Sequence, residues 1–171
     1  MRGNLPHKQS SHFPKAKKEE SEFGKGRKDI VLCKKCNAVY FYKSWHHRLE
    51  DYPGILKEKS LKFSLCPACR AEKGGTYEGE VIIDGVPPKI KKEIFHLIDN
   101  VGREARKRDS QDRILKVKEL RGNKIVVITT ENQLAVRLAK KLKKFLGAEL
   151  IFAIQGEKAV FRLDCSCESK N

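Results

Sequence analysis

Cys33-Lys34-Lys35-Cys36, followed after 29 residues by Cys66-Pro67-Ala68-Cys69, decides how the first half of the chain folds. Two Cys-x-x-Cys pairs at this separation are the sequence form of a tetrahedral metal site. Each pair makes a tight turn that aims two thiolates at one point, and the loop between them lets the pairs meet. Zinc suits four thiolates because it is borderline-soft and asks only for a tetrahedron. Iron in a rubredoxin-like arrangement would use the same ligands. Asn37 tolerates a left-handed backbone and can turn N–H groups toward sulfur. Pro67 presets φ for a turn, whereas Arg70 stands where a glycine would turn more easily. With Cys33, Cys36, Cys66 and Cys69 as ligands, no coordination position stays open. The expected ion is therefore structural Zn2+, a staple rather than a catalyst, and His46 and His47 are superfluous as ligands.

The rest of the composition sets the partner class. The chain has 171 residues and a net charge of +15. That is enough length for one medium domain or two small ones. The charge is an electrostatic footprint for a polyanion, although a lysine-rich surface can also serve solubility alone. No secretory leader and no membrane-long apolar run is present, so a cytoplasmic location is expected, with no membrane partner. Reduced thiols in that compartment favour metal over disulfides. No paired carboxylates, phosphate-binding glycine loop or nucleophile motif points to catalysis or to a small-molecule substrate.

In chain order, residues 1–28 form a basic arm with little apolar content, carrying Lys15, Lys17, Lys18, Arg27 and Lys28. Such a segment cannot offset its ordering entropy alone, and such arms often order against nucleic acid. Residues 29–75 read as the ribbon. Ile30 to Cys33 enters the first knuckle as a strand, and Ala38 to Tyr42 leaves it. Trp45 and Tyr40, beside Lys43 and Arg48, could stack on bases, but packing the ribbon's small core is the stronger expectation. A short helix is expected within residues 44–60, broken at Tyr52-Pro53-Gly54, before a strand from Leu61 to Leu65.

Residues 76–165 carry a different rhythm, and residues 166–171 are a tail. A strand over Glu80–Asp84 precedes a helix opened by Pro87-Pro88, with Ile90, Ile94, Leu97, Ile98, Val101 and Ala105 as its buried stripe. Strands Arg113–Leu120 and Lys124–Thr129 flank the turn Arg121-Gly122-Asn123. Thr130 and Gln133 suggest a capping box for a second helix. Its apolar stripe is Leu134, Leu138, Leu142, Phe145 and Leu146, and Gly147 ends it. A last strand pair, Glu149–Ile154 and Lys158–Asp164, turns at Gln155-Gly156-Glu157. The order β-α-β-β-α-β-β predicts an α+β fold: a four-cysteine ribbon, then two helices on one face of a mainly antiparallel sheet. A ferredoxin-like arrangement with one extra strand satisfies it. Cys165 and Cys167 read as free thiols of a flexible tail.

Four segments together resemble a known group. They are Cys33-Lys34-Lys35-Cys36-Asn37-Ala38-Val39-Tyr40, Cys66-Pro67-Ala68-Cys69-Arg70, Ile94-Phe95-His96-Leu97-Ile98-Asp99-Asn100, and Ile128-Thr129-Thr130-Glu131-Asn132-Gln133-Leu134-Ala135-Val136-Arg137. Over residues 28–164 the chain is similar to small prokaryotic zinc-ribbon proteins of the Nmd-like family. These are related by name and ribbon to the adaptor for nuclear export of the large ribosomal subunit, and are described as affecting ribosome stability and mRNA decay. The resemblance implies an RNA partner, ribosomal RNA or the large subunit. The basic arm and the Cys165-Ser166-Cys167 end lie outside the family pattern, and the chain lacks the export adaptor's extra domains, so the resemblance implies RNA or ribosome binding rather than export.

Helical spacing supplies candidate RNA contacts. Arg137, Lys140, Lys141 and Lys144 recur three or four residues apart on the second helix, and Lys92, Arg103, Arg106 and Lys107 lie on the first. Binding RNA, without catalysis, is the expected function. A protein–protein adaptor, whose charge serves solubility, is the alternative.

Overall fold

A computed structural model describes residues 30–41, 44–47 and 61–165. The expectations placed on Lys15, Lys17, Lys18, Arg27, Lys28, Lys43, Arg48, the helix before Tyr52-Pro53-Gly54 and Cys167 lie outside the described residues.

The knuckles organise a four-stranded sheet in the order β3-β2-β1-β4. Strand β1 (Val31–Cys33) turns through the first cysteine pair into β2 (Val39–Phe41). Asn37 takes φ 60°, and the Cys33 amide donates to the Ala38 carbonyl at 2.8 Å. Strand β3 (Ser44–His46) folds back on β2 at the start of the 44–60 stretch. Alternation shapes it: Trp45 is buried opposite Tyr40, with ring centroids 5.5 Å apart, while Ser44 and His46 are only half-buried. Strand β4 (Lys62–Ser64) runs parallel to β1 and sets Ser64 opposite Cys33. The second cysteine pair thus begins two residues beyond the first.

Cys66-Pro67-Ala68-Cys69 is not a bare turn. It is the first turn of α1 (Pro67–Gly74), with Cys66 as N-cap and Pro67 at the first helical position, where a missing N–H costs nothing. Arg70 therefore sits in helical backbone and needs no glycine. Gly75, at φ 68°, ends the helix.

The second sheet has the order β6-β7-β5-β9-β8. Its strands are β5 (Gly79–Asp84), β6 (Ile114–Leu120), β7 (Lys124–Thr129), β8 (Glu149–Gln155) and β9 (Lys158–Asp164). A single 3₁₀ turn, Pro88–Ile90, leads into α2 (Lys91–Arg108), and α3 is Asn132–Leu146. Three of the four ladders are antiparallel; β5 with β9 is parallel. The final strand lies directly beside β5 and pushes β8 to the edge, so the extra strand is inserted inside the sheet rather than added outside it.

Both helices bury their stripes on one face. Ile94, Ile98, Val101 and Ala105 of α2 meet Leu134, Leu138, Leu142 and Leu146 of α3 over Val81, Ile83, Val127, Phe161 and Leu163. Phe145 departs from its expected place: it is 45% exposed, because α3 presents residues 142 and 146 to the sheet. Gly102 fits close packing, since a Cβ there would meet the Ile114 side chain at 2.9 Å. Cys165 is not part of a free tail. Its amide donates to the Asp84 carbonyl at 3.0 Å, and its side chain packs against the main core.

Candidate metal centre and cationic surface

The sulfurs of Cys33, Cys36, Cys66 and Cys69 all lie within 4.8 Å of one another. The Cys36 and Cys66 sulfurs are 3.6 Å apart, far beyond a disulfide bond. That spacing matches the edge of a thiolate tetrahedron, about 3.8 Å for metal–sulfur bonds of about 2.3 Å. The donor set thus fits a metal ion held by four thiolates. His46 is turned elsewhere: its Nε2 lies 3.0 Å from the Phe41 carbonyl and 3.2 Å from Ser44 Oγ.

Backbone amides prepare the sulfurs for negative charge. The Cys66 amide donates to Cys33 Sγ at 3.3 Å, and the Cys69 amide donates to Cys66 Sγ at 3.4 Å. Burial works against the Cys33 thiolate, but backbone donors at Cys66, Cys36 and Lys35 outweigh it and bring the thiol down to about 6. Burial pushes Cys66 and Cys69 up. A cation resolves that tension by keeping all four as thiolates.

One partner of the cluster was not legible in the sequence. Arg113, at the threshold of β6 in the larger sheet, aims its guanidinium at the thiolates. Nη2 donates to Cys36 Sγ at 3.1 Å, and Nη1 donates to Cys69 Sγ at 3.4 Å. Burial disfavours the charged guanidinium, but the sulfurs beside it more than compensate and raise its affinity for the proton. Arg113 is itself fixed: its Nε donates to the Ser110 carbonyl at 2.9 Å, and its amide to Thr130 Oγ1 at 2.9 Å. Thr130 therefore does not cap α3. It holds the 110–113 loop, while Glu131 occupies the N-cap position without a side-chain cap bond.

The same loop supplies two more bonds to the ribbon. Gln111 Oε1 accepts from the Ala68 amide at 3.1 Å, which caps α1 from outside the ribbon. Ser110 Oγ donates to the Trp45 carbonyl at 3.3 Å. Ser110 and Gln111 are buried. Three residues of one loop, Ser110, Gln111 and Arg113, thus weld the cysteine site to the α+β core.

The candidate cations on the helices divide into exposed and sequestered groups. Lys140, Lys141 and Lys144 on α3 and Lys92, Arg103, Arg106 and Lys107 on α2 are exposed. Arg137 is half-buried, with Nη1 shut away from solvent and without a hydrogen-bond partner. Arg103 is engaged by Asp99 at 3.1 Å. Lys141 bonds Glu104 at 2.9 Å and so joins the two helices. Lys141 above all, then Arg108 and Lys107, hold the Glu104 carboxyl below its ordinary value, which places these cations around one spot. Between α2 and β6 opens a cleft of about 650 Å³, floored by Phe95, Ile114 and Val117 and rimmed by Arg103, Arg106 and Arg113. Trp45 is 8% exposed and cannot serve as a stacking platform.

Comparison of the chain with protein-family models, with curated proteins and with solved structures found no match in any of the three. What the fold and the site define is an α+β protein with a four-cysteine cluster able to hold a metal ion. Among the described residues, no helix is long and apolar enough to cross a membrane.

Proposed function

We propose that this chain is a zinc-ribbon RNA-binding protein, associated with the large ribosomal subunit through ribosomal RNA. It would act in ribosome stability or assembly, or in mRNA turnover, by binding rather than by catalysis. The observation that carries the reading is the shared cationic surface of α2 and α3, where Arg106, Lys107, Lys140 and Lys144 are exposed around the Glu104–Lys141 pair in a chain of net charge +15. A surface of this kind follows a phosphate backbone without needing a stacking platform.

Zinc is the ion we assign to the cysteines, since four thiolates and no open position suit a structural zinc site. The ribbon needs it. Three of the seven buried side chains in the cluster around the site, Cys33, Cys66 and Cys69, are the ligands themselves. Arg113 would balance part of the charge of the loaded site from outside the ligand set.

Sedimentation with large ribosomal subunits tests the function. The chain should travel with the subunits at low salt and be released as salt rises. A chain that stays in the soluble fraction at low salt, and that fails to shift structured RNA, contradicts the proposal. Metal analysis that finds no zinc, with folding indifferent to chelator, contradicts the zinc assignment.

A further inference from the structure

The two edges of the larger sheet are built to opposite rules. A strand edge presents unpaired backbone groups, and proteins protect such edges with lysines, bulges, proline or a cover. The β6 edge is protected: its register shifts between Ile114 and Lys116, and Lys116 and Lys118 stand exposed along it. The β8 edge has none of these devices. Glu149-Leu150-Ile151-Phe152-Ala153-Ile154-Gln155 runs seven residues, pairs with β9 in unbroken register, and carries one charge, at its first position. No strand neighbours its outer side among the described residues. Ile151 is 61% and Ile154 59% exposed, more than any other large hydrophobic side chain among the described residues, and above Val117 at 37% and Leu120 at 46% on β6.

The order of residues along β8 says what could cover it. Read outward from Phe152, the strand is nearly the same in both directions: Ile151 and Ala153, then Leu150 and Ile154, then Glu149 and Gln155. A two-fold axis perpendicular to the sheet at Phe152 would set β8 antiparallel to the β8 of a second copy. Residues that face each other must then share a sheet face, and about this centre they do, because 150, 152 and 154 alternate with 151 and 153. Leu150 would meet Ile154 of the second copy, Ile151 would meet Ala153, and Glu149 would meet Gln155. Every cross-strand pair is apolar with apolar or carboxylate with amide, and no like charges oppose each other. This is the self-complementarity that a two-fold interface requires.

We propose that the chain forms a symmetric homodimer by antiparallel pairing of β8 with β8 of a second copy, centred on Phe152, so that the two five-stranded sheets become one. Edge-strand addition supplies main-chain hydrogen bonds, and Ile151 and Ile154 supply the apolar contact. The proposal does not depend on the RNA reading.

The test is sedimentation of the full, nuclease-treated, zinc-loaded chain at high salt, over a range of concentrations, with hydrogen exchange read at the β8 amides. The expected result is a monodisperse dimer whose β8 amides lose protection on dilution. The outward-facing substitution Ile151→Lys should return the chain to a monomer with an unchanged far-UV spectrum and zinc content. Ala153→Lys, which places its charge against Ile151 of the second copy, should do the same if the first variant folds poorly. A wild-type monomer at every concentration would overturn the proposal. So would β8 protection that does not change on dilution, which would mean that another segment of the same chain covers the edge. An open-ended assembly, or a dimer that survives both substitutions, would also overturn it.

Discussion

Replacing Arg113 by methionine keeps the length of the side chain and removes its charge. In the wild type, two N–H groups reach Cys36 and Cys69 at 3.1 and 3.4 Å, and Nε reaches the Ser110 carbonyl at 2.9 Å. A hydrogen bond to a charged group contributes about 1.5–3 kcal/mol net. Sulfur is a weak acceptor and Arg113 is only half-buried, so the two sulfur bonds together should contribute about 1.5–3 kcal/mol. At about 1.4 kcal/mol per factor of ten, that corresponds to roughly 10- to 100-fold in zinc affinity. The direction follows from charge. Loading leaves four thiolates around a divalent ion, a net dianion, and the guanidinium favours that state over the empty site, where burial holds protons on Cys66 and Cys69. Competition with a chromophoric chelator near neutral pH measures it. Arg113→Met should bind zinc about 10- to 100-fold more weakly, and Arg113→Lys, which keeps the charge but loses the fork, should fall between. An affinity for Arg113→Met within about twofold of wild type would refute the argument that Arg113 completes the metal site.

Two further predictions concern stability. Burial first, then Asp112, Asp109 and Glu78, push the Glu131 carboxyl up to about 7 from an ordinary 4.5. The folded state then holds a proton that the unfolded state has released, so stability should fall as pH rises from about 5 to about 7. The full shift would correspond to about 3 kcal/mol, and partial exposure together with the N-terminus of α3 reduces the expected loss to about 1–2 kcal/mol. Denaturant melts of Glu131→Gln should be flatter over that window, and an equal slope in both proteins would sink the idea. Gly79→Ala should destabilise by about 2–3 kcal/mol, because its Cβ would lie 2.3 Å from Thr129 Oγ1 and 2.5 Å from Ala135 Cβ. Gly74→Ala, with nothing within 4 Å, is the matched control and should be neutral or slightly stabilising, so equal melting temperatures for the two variants would contradict the packing argument.

Local chemistry was legible in the sequence where it depends on near neighbours. The cysteine spacing announced the cluster, the aliphatic stripes announced α2 and α3, Gly147 marked the end of α3, and Gly122-Asn123 marked the turn from β6 to β7, each at positive φ. What depended on distant partners was not legible. Arg113 looks like any arginine at the start of a strand until the loop before β6 is docked against the ribbon. Thr130 followed by Gln133 three positions on looks like a capping box, yet a bond to a loop nineteen residues away takes the hydroxyl. Arg70 looked misplaced only because a helix beginning inside a cysteine pair reads as a turn. The insertion of β9 beside β5 is equally hidden, since alternation identifies a strand without saying which neighbour it takes.

The central proposal is that this protein, whose four-cysteine cluster could hold a metal ion, meets RNA through its cationic helices. Ultraviolet crosslinking in cells, mapped on both protein and RNA, tests it most directly. The account predicts crosslinked peptides from α2 and α3, around Arg106, Lys107, Lys140 and Lys144, joined to large-subunit ribosomal RNA and lost on charge reversal of Lys140 and Lys144. Recovery of no RNA above background, or of RNA joined only to peptides away from these helices, would contradict it.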